Sequence, residues 1–151
     1  MPDAPDMLRE IFNLQSHLND EIFAKQDLRD REGKVLSMAA IRQGLEREEF
    51  GPNGLVNQWL RNYLAALKAE ADEVGEELLW KWWSKDRIDL QNVRVEIVDL
   101  MHFLTSMALV AGLSAEEFHR LYTQKHAVNR QRQEQGYSKD TKDEADNRKI
   151  V

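Results

Sequence analysis

The chain of 151 residues is long enough for one domain with a sizeable core, and its 42% hydrophobic and 32% charged residues are typical of a globular protein. A net charge of −6 argues against general nucleic-acid binding, which needs a basic surface. The absence of cysteine excludes disulfides, thiolate metal sites and cysteine nucleophiles. The acidic N-terminus and the lack of a long apolar run predict neither a signal peptide nor a membrane span, so we expect a cytoplasmic location.

Apolar residues recur with a helical period along nearly the whole chain, which predicts an all-α bundle of about five to six helices. The first predicted helix covers residues 6–25, and a short second one covers residues 35–47. The breakers GPNG at Gly51–Gly54 mark a loop. A long helix is then predicted from Leu55 to about Trp83.

The next predicted helix begins near Asn92 and ends at Gly112, where glycine is a typical C-cap. A capping-box pattern at Ser114–Glu117 opens another helix, which is predicted to end at about Gln135. Residues 1–137 therefore form the predicted all-α domain. Residues 138–151 are polar and predict a flexible tail that closes over a substrate.

Two acidic patterns lie on the two long predicted helices. Glu70, Glu73 and Glu76 follow one another at a spacing of three, which alone is explained most simply by a solvated helix face. Glu96 and Asp99 repeat the spacing on a helix that is apolar nearly all round, so we expect them to be partly buried. Facing pairs of carboxylates predict a site for divalent cations, and Mg²⁺ prefers such oxygen ligands.

The motifs EADE at Glu70–Glu73 and EIVD at Glu96–Asp99 resemble the metal-binding signature of the all-α nucleoside triphosphate pyrophosphatases, which include MazG-type enzymes and dimeric dUTPases. Further stretches resemble the dimeric dUTPase branch, namely LQSHLND, WKWWSK, EIVDLMHFL, KHAVNRQRQEQGYSKDTK and EADN. The resemblance covers most of the chain in order and is weakest over Arg29–Leu67. The two acidic motifs lie closer together than expected for the cellular members, which leaves the base preference open.

The resemblance implies magnesium-dependent hydrolysis of dUTP, and of dUDP as a further substrate, in which metal-activated water gives dUMP and, from dUTP, pyrophosphate. It implies that two or more Mg²⁺ ions, with Mn²⁺ as a substitute, are held by four carboxylates, those of Glu70, Glu73, Glu96 and Asp99. Glu70 and Glu73 are the implied catalytic residues. A MazG-like alignment would use Glu76, which we keep in reserve.

The resemblance also implies two sets of substrate contacts. The nucleoside-binding set is Gln15, Asn19, Trp80, Trp82, Trp83, His102 and Phe103. The phosphate-binding set is Lys125, Asn129, Arg132, Tyr137, Lys139 and Lys142. Without the resemblance, the aromatic residues and His102 would be read as core residues, and the basic residues as a solvated face.

We therefore expect a deoxyuridine nucleotide as the substrate and a homodimer as the assembly, with neither nucleic acid nor membrane as a partner. The dimer is implied by the resemblance and agrees with the surplus of large apolar residues. An alternative enzyme is a MazG-like pyrophosphatase that acts on dCTP or on broader or modified nucleotides. An alternative of another class is a non-catalytic helical dimer whose acidic residues bind a partner or a structural ion.

Overall fold

The computed structural model describes residues 6–136, 138 and 145–151, and within these ranges the protein is all-α, as predicted. The six helices are α1 (Met7–Lys25), α2 (Met38–Glu46), α3 (Leu55–Glu77), α4 (Leu90–Val110), α5 (Ala115–Glu134) and α6 (Ala145–Arg148). The described part of the chain contains no strand, only an isolated antiparallel bridge between Arg29 and Val35. The chain divides into two compact units, with the boundary in sequence after Gly112.

Short polar side chains fix where the helices begin. Asp6, Ser37 and Asp89 accept hydrogen bonds from exposed backbone N–H groups in the first turns of α1, α2 and α4. Ser114 and Glu117 form both bonds of the predicted capping box at the start of α5. Because these caps are local in sequence, the starts of these helices lie within about three residues of the predicted ones.

The end of α3 differs from the prediction, because the helix ends at Glu77 and not near Trp83. Its last turns carry several carboxylates and no basic residue. Negative charge at the C-terminus of a helix opposes the helix dipole, and like charges one turn apart repel one another. Leu78 is already extended, with ψ 144°, so the three tryptophans lie on a turn beyond the helix.

The core of the first unit is built by side chains from α1 to α4 and the loop before α2. Its buried members are Phe23, Leu36, Met38, Ile41, Val56, Tyr63 and Val110. Trp59 packs edge-on against Phe23, with ring centroids 4.9 Å apart, and also contacts Tyr63. Among the helices of this unit, α3 and α4 make the most extensive contact, which places their acidic residues side by side.

Helix α1 carries two stripes with the same helical spacing and opposite character. The buried stripe consists of Phe12, Gln15, Asn19 and Phe23. The exposed stripe consists of Ile11, Leu14, Leu18 and Ile22, which are 39% to 62% exposed. In the sequence, the aliphatic residues and the two phenylalanines belong to one apolar pattern, yet the structure buries the phenylalanines with two amides and leaves the aliphatic stripe exposed.

The second unit contains α5 and α6. Arg132 on α5 forms an ion pair with Asp146 on α6, with a nitrogen to oxygen distance of 3.3 Å, and Lys125 donates to Asn147 at 2.5 Å. The predicted tail covers residues 138–151, of which residues 139–144 lie outside the described residues. Within the described chain, no single helix is long and apolar enough to cross a membrane. The bent pair Leu90–Val110 and Ala115–Glu134 reaches the required length and apolar composition only when the two helices are taken together.

Candidate active site

An acidic cluster lies where α3 packs against α4. Glu70 on α3 and Glu96 and Asp99 on α4 each offer a carboxylate oxygen, and these oxygens lie within 4.8 Å of one another. All three residues are partly buried, as the apolar surroundings of Glu96 and Asp99 predict. Three of the four predicted metal ligands are therefore brought together.

Loss of hydration and mutual repulsion make the charged forms of Glu70 and Glu96 unfavourable. Loss of hydration raises the pKa of Glu70 above its ordinary value, and the charges of Glu73, Asp99 and Glu96 raise it further. The same loss of hydration, followed by the charges of Glu73, Asp99 and Glu77, raises the pKa of Glu96. A bound cation would remove this repulsion, and an all-carboxylate set suits a hard ion such as Mg²⁺. The residues present therefore fit the metal that the sequence predicts.

The face of α3 that carries these charges is defined by Glu70, Glu73 and Glu77. These positions are separated by three and four residues, so they follow one stripe of the helix. Glu73 is exposed and lies outside the closest set, although its charge acts on both Glu70 and Glu96. Glu77 was not among the predicted site residues, although its spacing of four residues from Glu73 places it on the same face of α3. Glu76, the reserve ligand, is exposed and departs from this stripe.

Next to the acidic cluster, four polar residues of α1 and α4 are joined by hydrogen bonds between their side chains and one to a backbone carbonyl. We call this set the amide ring: Gln15, Asn19, His102 and Ser106. His102 Nδ1 lies 2.6 Å from Gln15 Oε1, and Gln15 Nε2 donates to Asn19 Oδ1 at 2.9 Å. Asn19 Nδ2 donates to Ser106 Oγ at 3.1 Å. Ser106 Oγ donates to the carbonyl of His102 at 3.0 Å, which closes the ring.

A cavity of about 330 Å³ opens between α1 and α4 beside the amide ring. Its lining consists of Ile11, Leu14, Gln15, Leu18, Val98, Met101 and His102. Gln15 and His102 supply its polar groups, and the rest of the wall is aliphatic. Asp99 precedes His102 by one helical turn on α4, about 4.5 Å along the helix axis, so the acidic cluster and the cavity are neighbours.

The remaining predicted nucleoside contacts lie elsewhere. Trp80, Trp82 and Trp83 are 75%, 87% and 60% exposed and pack edge-on against one another. None of them is among the described residues that line the cavity. Phe103 is partly buried and packs against the core of the first unit. The structure thus unites Gln15, Asn19 and His102, and the roles of the aromatic residues stay predictions.

The predicted phosphate contacts belong to the second unit. Lys125 and Arg132 face the α6 side chains Asn147 and Asp146, as described above, and Asn129 is exposed. Tyr137, Lys139 and Lys142 lie outside the described residues. The phosphate-binding role of this set stays a prediction.

A larger cavity, of about 510 Å³, is lined by the segment from Leu28 to Ala40 and the facing ends of α2 and α3. It carries charges of both signs, such as Arg31 and Glu32, and none of the predicted site residues. Its mixed charge gives it no preference for an anionic substrate, whereas the smaller cavity adjoins carboxylates suited to a cation.

Comparison with known proteins is consistent with this site. The family model described as dUTPase matches residues 7–117, which include α1 to α4 and the acidic cluster. The chain is also similar to the dCTP pyrophosphatase of Enterobacteria phage T4, with 29% identity over 93 residues that cover 62% of this chain and 48% of that protein. Comparison with solved structures gives no match.

Two further phage proteins are similar. The dCTP pyrophosphatase of Enterobacteria phage LZ5 is 29% identical over 109 residues, covering 56% of this chain and 63% of that protein. A DNA replication protein of Enterobacteria phage T4 is 28% identical over 87 residues, covering 56% of this chain but 19% of that protein. The matched segments thus span 48% and 63% of the length of the two phage pyrophosphatases.

Proposed function

Because the chain belongs to the dUTPase family, we propose that it hydrolyses a pyrimidine deoxynucleoside triphosphate, with dUTP as the substrate and dUMP and pyrophosphate as the products. The observation that carries the proposal is the cluster of Glu70, Glu96 and Asp99 beside a cavity with an amide ring. Carboxylates that gather a cation suit the phosphates, and a largely aliphatic cavity with two polar groups suits a flat base.

Glu70, Glu96 and Asp99 are the residues that would hold the metal, with Glu73 beside them. A bound Mg²⁺ ion would offset negative charge on the phosphates and make a coordinated water more acidic. The repulsion that raises the pKa values of Glu70 and Glu96 supports this assignment, because a site with stored negative charge gains most from a cation.

Glu70 is the proposed general base, with Glu73 as its neighbour on the same stripe. Glu70 would orient a water molecule and accept its proton while the water oxygen bonds to the α-phosphorus. The bond from the α-phosphorus to the bridging oxygen breaks at the same time, and pyrophosphate leaves.

The second candidate substrate is dCTP, because two similar phage proteins are dCTP pyrophosphatases. Uracil and cytosine share a ring and differ in whether position 4 accepts or donates a hydrogen bond. Because the two rings have the same size, the cavity admits both bases, and the hydrogen bonds that it offers must distinguish them. The same product analysis tests whether dUDP is a substrate and, with dTTP and UTP, whether the activity extends to other nucleotides.

The experiment is product analysis with dUTP, dUDP, dCTP, dTTP and UTP, in Mg²⁺ and in EDTA, for wild type, Glu70→Ala and Glu76→Ala. We expect Mg²⁺-dependent release of pyrophosphate from dUTP and a loss of roughly a hundredfold or more in Glu70→Ala. Glu76→Ala is the matched control on the same helix and should keep activity within about threefold. No turnover of any nucleotide, or full activity in Glu70→Ala, would contradict the proposal.

We also propose a second copy of the chain as the partner. The exposed stripe of α1 and the cavity share Ile11, Leu14 and Leu18, so a copy packed on this stripe would cover the open side of the cavity. A contiguous aliphatic surface of this kind is typical of a protein interface. The expected assembly is a homodimer in which each copy shields the base cavity of the other.

A further inference from the structure

We propose that Ser106 determines base specificity as a positioning residue: its buried hydroxyl sets the direction of the hydrogen bonds in the amide ring, and so the atoms that Gln15 and His102 present to a pyrimidine. The inference rests on the proposed function, because it states how the same site would distinguish two bases. Ser106 has no exposed surface, so it acts through its neighbours and does not touch the base.

The direction of the ring follows from the single proton of the serine hydroxyl. Ser106 Oγ donates to the carbonyl of His102 at 3.0 Å, and the alternative acceptor, Asn19 Oδ1, is farther away at 3.4 Å. With its proton committed, the oxygen accepts from Asn19 Nδ2. This fixes the orientation of the Asn19 amide, which the 3.7 Å contact of Asn19 Nδ2 with Met38 Sδ, a weak acceptor, also favours.

The remaining two bonds then have one consistent direction. Asn19 Oδ1 accepts from Gln15 Nε2, which leaves Gln15 Oε1 to accept from His102 Nδ1. In the neutral imidazole of His102, this bond places the proton on Nδ1 and leaves Nε2 as an acceptor. If Asn19 instead turned its amide oxygen to the position that Nδ2 occupies beside Ser106, the Gln15 amide would turn over as well, and donor and acceptor would be exchanged at Gln15 and His102.

Exchange of donor and acceptor is also the difference between the two candidate bases. Cytosine donates from its 4-amino group and accepts at N3, whereas uracil accepts at its 4-oxo group and donates from N3. A glutamine amide held in one orientation matches one of these edges in a given pose and opposes the other. An amide free to turn over would accept both.

Burial makes the orientation costly to change. Gln15 and Asn19 are 5% and 3% exposed, so an amide turned the wrong way leaves a buried polar group without a partner. Sites built on such groups discriminate between analogues on the order of tenfold to a hundredfold per hydrogen bond. Removal of the Ser106 hydroxyl removes the stronger acceptor of Asn19 Nδ2 and leaves only the weak contact with Met38 Sδ to favour one direction.

The test compares Ser106→Ala with Thr105→Val, which removes a hydroxyl from the adjacent and equally buried position outside the ring. The readout is the ratio of kcat/KM for dUTP to kcat/KM for dCTP. We expect Ser106→Ala to bring the ratio toward one by about tenfold or more, and Thr105→Val to leave it within about twofold. Ser106→Thr keeps a hydroxyl and should keep most of the preference.

If Ser106→Ala fails to fold, Ser106→Cys is the second variant, because a thiol fits a buried site and is a weak donor. It should also reduce the ratio. An unchanged ratio in a folded, active Ala or Cys variant would overturn the role of Ser106, as would a wild type that hydrolyses both nucleotides equally. A wild type inactive on every nucleotide would instead overturn the proposed function itself.

Discussion

Two neighbouring hydroxyls on α4 have opposite surroundings. Thr105 and Ser106 are 1% and 0% exposed, and Ser106 belongs to the amide ring, whereas Thr105 Oγ1 has no hydrogen-bond partner within the described chain. A buried hydroxyl without a partner costs free energy, and valine has nearly the same shape without it. The contrast provides a test of which of the two hydroxyls stabilises the fold.

We expect Thr105→Val to raise the free energy of unfolding by about 1 kcal/mol, because the unpaired hydroxyl is removed and the packing is kept. Ser106→Ala should lower it by about 1–2 kcal/mol, because the buried Asn19 amide loses its acceptor. Urea denaturation of both variants measures the two changes. Destabilisation by Thr105→Val would show that its hydroxyl is bonded in solution.

The charge of the acidic cluster gives a prediction about pH. The pKa of Glu96 is raised in the folded chain, so the folded state holds this proton more tightly than the unfolded state. Without metal, the cost of its charge is therefore absent at low pH and is incurred as the pH rises through the raised pKa. Glu96→Gln removes the charge, so we expect a higher Tm than wild type at pH 8 and no gain below about pH 4.

Thermal unfolding in EDTA across this range measures the effect. Glu76→Gln is the control, because Glu76 lies off the charged stripe and should give a much smaller change at pH 8. A wild-type Tm equal to or above that of Glu96→Gln at pH 8 would be inconsistent with repulsion within the cluster.

At the same scale, the sequence identifies the acidic residues but not the residue that orients the ring. Glu96 and Asp99 follow from spacing on a helix whose apolar pattern is clear, and Glu70 follows from the family resemblance. Ser106 has no such pattern, because its bond to Asn19 joins residues 87 positions apart in sequence. The role of a serine within a helix can be recognised only when its contacts across the fold are known.

At the scale of elements, a glycine constrains the backbone where α4 ends. Gly112 has φ +81°, a conformation that costs other residues energy, and a Cβ there would lie 2.8 Å from Leu45 Cδ1. The sequence predicts this glycine as a helix terminator, and the structure places it just after the cap residue Ala111. Its contact with α2 could not be predicted from the sequence.

We expect Gly112→Ala to lower the free energy of unfolding by about 1–2 kcal/mol, from the left-handed backbone and the displaced Leu45 side chain. Gly51→Ala is the control, because Gly51 lacks a positive φ and a Cβ there meets nothing within 4 Å. Urea denaturation should show a change below about 0.5 kcal/mol for the control. Equal effects of the two substitutions would exclude the proposed constraint.

The helix boundaries show which elements a sequence can define. The start of α5 depends on Ser114 and Glu117, two residues in one turn, and was predicted correctly. The end of α3 depends on how the carboxylates of its last turns interact with one another and with α4. The spacing of apolar residues contains no information about these interactions. The prediction there was wrong because apolar residues beyond Glu77 continue the helical pattern without continuing the helix.

At the scale of the whole molecule, the uncovered stripe of α1 is the feature that the isolated chain does not explain. Ile11, Leu14, Leu18 and Ile22 have the helical spacing that is typical of a buried face, yet all four are exposed. The core of the first unit is complete without them. A second copy would bury this stripe and would account for both the pattern and its exposure.

We therefore expect the wild-type chain to sediment as a dimer of twice 17.7 kDa, and Ile22→Glu to sediment as a monomer. Ile22 lies on the stripe but outside the cavity, so the variant should keep its fold, while a buried charge at the interface weakens association on the order of a hundredfold or more. Ala24→Glu is the matched control, because it adds the same charge to an exposed site on another face of α1.

Analytical ultracentrifugation over a range of concentrations distinguishes the outcomes, with circular dichroism as the check on folding. A monomeric wild type, or a dimer unaffected by Ile22→Glu, would place the interface elsewhere or exclude it. If Ile22→Glu is a folded monomer, the dependence of KM on protein concentration tests whether the second copy covers the base cavity. Since the second copy is proposed to cover the open side of the base cavity, dilution of the variant should not change its KM, whereas dilution of wild type below its dissociation constant should raise KM toward that of the variant.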